Sequence, residues 1–165
     1  MDHKYAGRRD VIILIAEDDD DDFTLTHDAF RESRLLNDIH RVKDGEELMD
    51  YLLRRNAFAD PATSPTPGLI LLDLNMPRKD GRECLREIKN NPTLWHVPVV
   101  VLTTSQAEED VYRSYQLGVN SYVRKPVGFQ GLVDATRVLG RYWFEIVELP
   151  PSDLNGYTPR QDKAA

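Results

Sequence analysis

The chain has 165 residues, enough for one well-buried core, and its 41% hydrophobic and 30% charged content is ordinary for a globular domain. A formal net charge of −7 opposes nonspecific attraction to nucleic acid or an anionic membrane, though not to a basic protein surface. No apolar stretch approaches the roughly 20 residues needed to cross a bilayer, and the single cysteine, Cys84, excludes an internal disulfide and fits a reducing cytoplasm. The first ten residues, MDHKYAGRRD, place no apolar run behind their charges, so no signal peptide is expected. Val11 to Ala16 (VIILIA) is a continuous, largely β-branched run, the pattern of a strand buried on both faces. Phe23, Thr26 and Phe30 then fall on one face of a helix predicted over Asp22 to Ser33. A weaker strand over Ile39 to Lys43 precedes a helix over Glu46 to Asn56. Asp60 to Gly68, with three prolines, reads as a surface loop. Gly68 to Leu72 (GLILL) is a second buried strand, followed by a helix after Gly81 that carries Cys84, Leu85 and Ile88 and stops near Pro92. Cys84 is therefore expected in the core. Val97 to Leu102 (VPVVVL) is a third such strand, with Pro98 tolerable at its entry. Ser105 and Glu108 form a capping-box pattern opening a helix that ends at Gly118. Ser121 to Arg124 is a fifth strand candidate, and a last helix runs from about Gly131 to Tyr142.

Five strands alternating with five helices imply an α/β domain whose parallel sheet is covered on both faces. The domain reading is a tail over 1–10, a core domain over 11–143, and a C-terminal extension with a polar, loosely ordered tail over 144–165.

Candidate chemistry gathers at strand ends. The first strand runs into Glu17 and a run of five aspartates, Asp18 to Asp22, and the third runs into Asp73. In an open parallel sheet, ligands bind outside the carboxyl ends of the strands, where the strand order reverses. If strands one and three are neighbours there, Glu17, Asp18 and Asp73 converge. Like charges about 4 Å apart repel by roughly 4 kcal/mol at an effective dielectric near 20, so such a cluster needs a cation. All-oxygen ligands with open positions suit Mg²⁺, which keeps several waters and bridges carboxylates to phosphate. Asp19 to Asp22 read instead as solvated acids at a helix start, favoured by the helix dipole. An EF-hand fails, because counting from Asp18 puts Phe23 where glycine is needed and Ala29 where glutamate is needed. The fourth strand ends in Thr103 and the fifth leads to Lys125. Each alone is unremarked: a strand-end hydroxyl, a surface lysine. Together with the acids they are the groups that an aspartyl-phosphate needs to neutralise and orient its oxygens.

With IAED, LLDLNMPRKDG, VVVLTTS and SYVRKP all present, the sequence resembles the receiver-domain family of two-component signalling over about Val11 to Leu139. The resemblance implies a flavodoxin-like (βα)5 three-layer sandwich with parallel strand order 2-1-3-4-5. It implies a phosphoacceptor at Asp73, metal-binding acids at Glu17 and Asp18 with the backbone carbonyl of Asn75, a switch hydroxyl at Thr103, a phosphate-binding Lys125 and a switch aromatic at Tyr122. It also implies a cis Lys125–Pro126 peptide and Mg²⁺ as cofactor, with Mn²⁺ or Ca²⁺ as substitutes. The chain would then be a cytoplasmic response regulator, phosphorylated by a sensor histidine kinase in a phosphorelay. It would be no enzyme beyond its own phosphotransfer and dephosphorylation. A narrower similarity is to receivers that serve bacterial phytochromes, carried by LTTSQAEEDVYRSYQLGVNSYVRKPV and the aromatic segment ending in ELP. One departure is the all-aspartate run where the family often reads E-D-N-P. Tyr142, Trp143, Phe144, Ile146 and Val147, beyond the last helix, are expected to form a homodimer interface, with folding back on the same domain as the rival arrangement.

Other functions fare poorly. A helix-turn-helix does not fit in the forty or so residues after Lys125. A phosphatase of the D-x-D type would need an acid where Asn75 stands. A receiver-like binding module without phosphotransfer leaves the filled chemical positions unexplained. No Walker loop, G-x-G-x-x-G or G-x-S-x-G occurs, and His3, His27, His40 and His96 lack zinc spacing and read as surface or capping residues.

Overall fold

A computed structural model describes residues 11–150, so the readings made for 1–10, including His3, and for 151–165 lie outside the described residues. Five parallel strands form one sheet: β1 (Ile13–Ala16), β2 (Ile39–Val42), β3 (Leu69–Leu72), β4 (Val99–Thr103) and β5 (Ser121–Arg124), in the order β2-β1-β3-β4-β5. The helices are α1 (Asp20–Glu32), α2 (Gly45–Leu52), α3 (Gly81–Asn90), α4 (Glu108–Gln116) and α5 (Phe129–Arg141). A 3₁₀ turn at Asn56–Phe58 follows α2, and a π-helical turn at Tyr142–Ile146 continues α5. This is the expected flavodoxin-like three-layer sandwich.

The apolar runs become the centre because both of their faces are covered. Leu14, Ala16, Ile70, Leu72, Val99 and Val101 pack with Leu48 and Met49 of α2 and with Cys84, Leu85 and Ile88 of α3. Ile13, Ile15, Leu69, Leu71 and Val100 face the other way, against Phe30 of α1 and the residues that follow α5. Alternate residues of each run therefore serve opposite layers, which is why the runs carry no polar residue. Full burial of one such side chain is worth about 1.5–3 kcal/mol.

Three helices are capped by aspartates at the rim where the strands end. Asp19, Asp44 and Asp80 accept from the backbone N–H groups of Asp22, Glu47 and Arg82, each at 2.8 Å. The fourth cap is not the expected one. α4 starts at Glu108 behind Ala107, and the Ser105 hydroxyl donates instead to Asp110 at 2.6 Å. α4 begins too far along the chain for Ser105 to cap it, and the Ser105 oxygen lies 3.5 Å from the Ala107 N–H, so the capping box does not form. α2 also ends four residues earlier than the predicted Asn56, where Arg54 and Asn56 take positive φ. α4 stops as expected, with Gly118 at φ 97° and its N–H donating to the Tyr115 carbonyl at 3.0 Å. The Lys125–Pro126 peptide is trans rather than cis, since all described peptide bonds are trans; trans is the intrinsically favoured X–Pro isomer.

Two glycines let the β3–α3 loop close against its surroundings. A Cβ on Gly81 would lie 2.3 Å from the Asp73 carbonyl oxygen, and one on Gly45 would lie 2.0 Å from that of Lys79. Both contacts are with backbone that cannot move aside, so these positions exclude any larger residue.

Trp143 and Phe144 are 7% and 5% exposed and belong to the core on the α1–α5 face, with Val147 packed against it. These three side chains thus pack against the same domain, the rival arrangement to an intermolecular surface. The sheet face left uncovered beyond α1 and α5 is apolar, and the chain's own aromatics cover it. Tyr142 and Ile146, on the other side of the same turn, are 46% and 65% exposed. The expected boundary at 143/144 falls inside this continuous helical segment.

Candidate functional site

Parallel pairing aligns the strand ends. The Glu17 N–H donates to the Val42 carbonyl at 3.0 Å and the Asp73 N–H to the Ala16 carbonyl at 3.1 Å. These two bonds set the acids following β1 and β3 side by side. Carboxylate oxygens of Glu17, Asp18 and Asp73 all lie within 4.8 Å of one another, with Glu17 and Asp73 buried and Asp18 exposed. Two acids thus sit at the floor and one at the open side.

Asp73 is held at both oxygens. Oδ1 accepts from Thr103 Oγ1 at 3.0 Å and from the Asn75 N–H at 3.1 Å. Oδ2 faces Lys125 Nζ at 3.1 Å. Lys125 is positioned through its backbone, whose N–H donates to the Thr103 carbonyl at 2.8 Å, and its side chain is 10% exposed. Its ammonium also pairs closely with Glu17 and reaches Asp22 Oδ2 at 3.5 Å. Burial pushes the Glu17 carboxyl up to about 7, against the pull of Lys125 and with a further push from Asp73. Burial disfavours the Lys125 charge, but its bonds to Glu17 and Asp73 prevail and raise its pKa.

One ammonium among Glu17, Asp18, Asp22 and Asp73 leaves negative charge in excess. Oxygen donors within a few ångströms of each other, one of them open to solvent, fit a small hard divalent cation.

Thr103 is fully buried, and its Oγ1 also lies 3.4 Å from the Ser105 N–H. Half-buried Tyr122 donates its hydroxyl to the Ser105 carbonyl at 3.3 Å. The expected switch residues therefore meet at one residue, Ser105, whose pattern in the sequence suggests only a helix cap.

The profile of the response regulator receiver domain matches residues 13–137 of the chain. The chain belongs to the response-regulator receiver family. Among curated proteins it is similar to the response regulator Rcp1 of Synechocystis, 42% identical over 139 residues that cover 84% of this chain and 92% of that one. Among solved structures it resembles the phosphorylated cyanobacterial phytochrome response regulator RcpA, with 39% identity and a TM-score of 0.80 over 86% of this chain and 99% of that one. It also resembles the Mn²⁺-bound form of Rcp1, with 41% identity and a TM-score of 0.78 at the same coverage. The receiver is thus a relative of phytochrome response regulators, and phosphorelay signalling fits its architecture. Among the described residues, no helix is long and apolar enough to cross a membrane.

The structure brings together Glu17, Asp18, Asp73, Thr103 and Lys125, all expected from the sequence, and adds two residues to them. Asp22, read as a solvated helix-start acid, turns inward to Lys125. Arg41 of β2, which no motif marks, donates from Nε to the Glu17 carbonyl at 3.1 Å. Its only signal was a cation in the strand beside a run of six acids.

Proposed function

We propose that the receiver accepts a phosphoryl group on Asp73 from the phosphohistidine of a sensor kinase of the phytochrome type. The observation that carries this is the pair of restraints on one carboxylate. Thr103 and Asn75 occupy Oδ1, which leaves Oδ2 beside the Lys125 ammonium as the nucleophilic oxygen. Oδ2 forms the new O–P bond while the P–N bond of the phosphohistidine breaks, and the imidazole leaves with the electron pair and takes up a proton. Lys125 neutralises a phosphoryl oxygen that would otherwise face Glu17 and Asp22. A Mg²⁺ or Mn²⁺ ion held by Glu17, Asp18, Asp73 and the Asn75 carbonyl supplies the remaining positive charge. Attack of water on the phosphorus then breaks the Oδ2–P bond, releasing inorganic phosphate and restoring the Asp73 carboxylate. In the phosphorylated state Thr103 exchanges its bond to Oδ1 for a phosphoryl oxygen. This draws on the Ser105 segment and on the Tyr122 hydroxyl bonded to it, so one local bond biases two packings.

Incubation with a small phosphodonor and Mg²⁺ tests the reading. Intact mass should show one acid-labile phosphoryl adduct, absent from Asp73→Asn. Labelling that persists in the variant overturns the assignment.

The receiver's signalling surface includes a self-association patch narrowed to Tyr142 and Ile146, which remain exposed beside Val138 on the outer side of α5 and its continuation. Light scattering should show a dimer that Tyr142→Glu with Ile146→Glu converts to monomer. A dimer of unchanged mass would remove these residues from the interface.

A further inference from the structure

We infer that Arg41 is a positioning residue for the divalent-cation site, holding the main chain at Glu17 and Asp18 so that their carboxylates stay beside Asp73. The inference rests on the reading of these three acids as the ion's ligands, and it assigns a role to a residue outside them.

β2 is an edge strand, so a long basic side chain on it would ordinarily lie in solvent. Arg41 does not: its side chain is 16% exposed. It pairs in register with Ile15 of β1, the residue two before Glu17. From there it extends past the strand ends and meets the acidic loop with all three guanidinium nitrogens. Nε donates to the Glu17 carbonyl at 3.1 Å, one terminal nitrogen reaches the Asp18 carbonyl at 3.4 Å, and the other pairs with Asp20 Oδ1 at 2.8 Å. The ring of Phe23 closes the remaining side, with the guanidinium carbon 4.5 Å from its centroid.

Each of these polar contacts falls within residues 17–20. The two main-chain carbonyls belong to the residues whose side chains offer oxygens to the ion, and each is tied by its own nitrogen of one planar, rigid fork. The fork fixes the direction in which the chain leaves β1 and therefore where both carboxylates emerge. Lysine would retain the charge but could not hold two carbonyls and a carboxylate at set angles. The loop also resists ordering without such a clamp, because six consecutive acids, Glu17 to Asp22, repel one another. The ammonium of Lys125 serves the far side of the cluster, at Glu17, Asp22 and Asp73. Arg41 serves the near side and touches none of the cluster's carboxylate oxygens, so it steadies the ligands without occupying the ion's place.

Calorimetric titration of the full chain with Mg²⁺ tests this. Wild type should bind, Asp18→Asn should bind far more weakly, and Arg41→Lys should lose affinity roughly tenfold, as removal of outer partners of metal ligands does. The urea midpoint of metal-free Arg41→Lys should stay near wild type, and saturating Mg²⁺ should restore its phosphoryl acceptance, which general structural damage would not permit. Wild-type affinity in Arg41→Lys, with Asp18→Asn impaired, overturns the role of Arg41 alone. Absence of binding in wild type, or full binding in Asp18→Asn, overturns the ligand assignment and Arg41 with it. If Arg41→Lys does not fold, the wild-type Arg41 Nε–H resonance decides: it should shift as Mg²⁺ is added, and a resonance unmoved at saturation overturns the proposal.

Discussion

Two basic side chains in this receiver each gather carboxylates from other parts of the chain, and they do so to opposite ends. Arg82, at the start of α3, meets Asp110 of α4 with two parallel bonds, at 2.6 and 2.7 Å, and Asp80 at 3.0 Å. The Ser105 hydroxyl completes Asp110. Every charge there has a geometric match, and nothing is left to attract a ligand. Lys125 meets Glu17, Asp22 and Asp73 as a point charge, with Asp18 within reach of the same cluster. It leaves surplus negative charge and an open side. Bidentate bonding that occupies each carboxylate makes a joint between helices, whereas one point charge among four acids makes a site.

The contrast can be broken most severely at Lys125. Lys125→Met leaves buried Glu17 and Asp73 without their cation and should cost about 3 kcal/mol in the metal-free protein. Because the ion binds the folded state, added Mg²⁺ should recover part of that loss. Urea unfolding with and without Mg²⁺ measures both, and a loss indifferent to Mg²⁺ would contradict the view of the site as charge-starved.

Asp110→Asn should cost less, about 1 kcal/mol, because the joint is partly exposed, and should leave Mg²⁺ affinity unchanged. The effect has a pH signature. Bonding from Arg82, and then from Ser105, holds the Asp110 carboxyl down at about 2. A carboxyl depressed in the folded state stabilises above its unfolded value, near 4, and that contribution disappears as pH falls through about 2. Wild type and variant should therefore differ most at neutral pH and converge toward pH 2, as acid unfolding curves would show. A difference constant across the acid range would mean that the joint is not electrostatic.

The smallest change runs in the opposite direction. Asp73→Asn removes one charge from the crowded cluster and should raise metal-free stability by about 0.5 kcal/mol, while abolishing phosphoryl acceptance. Thermal melts in a chelating buffer would detect it, and destabilisation of that variant would show that Lys125 already balances the acids.

Much of this contrast could be read along the chain. Short, β-branched apolar runs bounded by turns read as strands covered on both sides, and parallel strands bring their carboxyl ends to one rim. Glu17, Asp18, Asp73, Thr103 and Lys125 lie at or just past strand ends, so their meeting required nothing beyond strand order, and the family pattern supplied that order. The helix stop at Gly118 was equally local, because a positive φ there suits glycine.

Other assignments depended on what stands opposite a residue in space, which no local pattern records. Asp22 reads as one more solvated aspartate until α1 is seen to turn it toward Lys125. Ser105 reads as a helix cap until α4 is seen to begin only at Glu108, with the Ser105 hydroxyl donating to an Asp110 that Arg82 fixes. Trp143 and Phe144 read as a sticky surface until the open face of the sheet beyond α1 is found beneath them. Arg41 has no motif, because its partners are main-chain carbonyls present at every position, and only the pairing of β2 beside β1 makes two of them special. Periodicity and strand ends report the order of the chain. Competition between partners for one donor or one apolar face is settled only when the layers close.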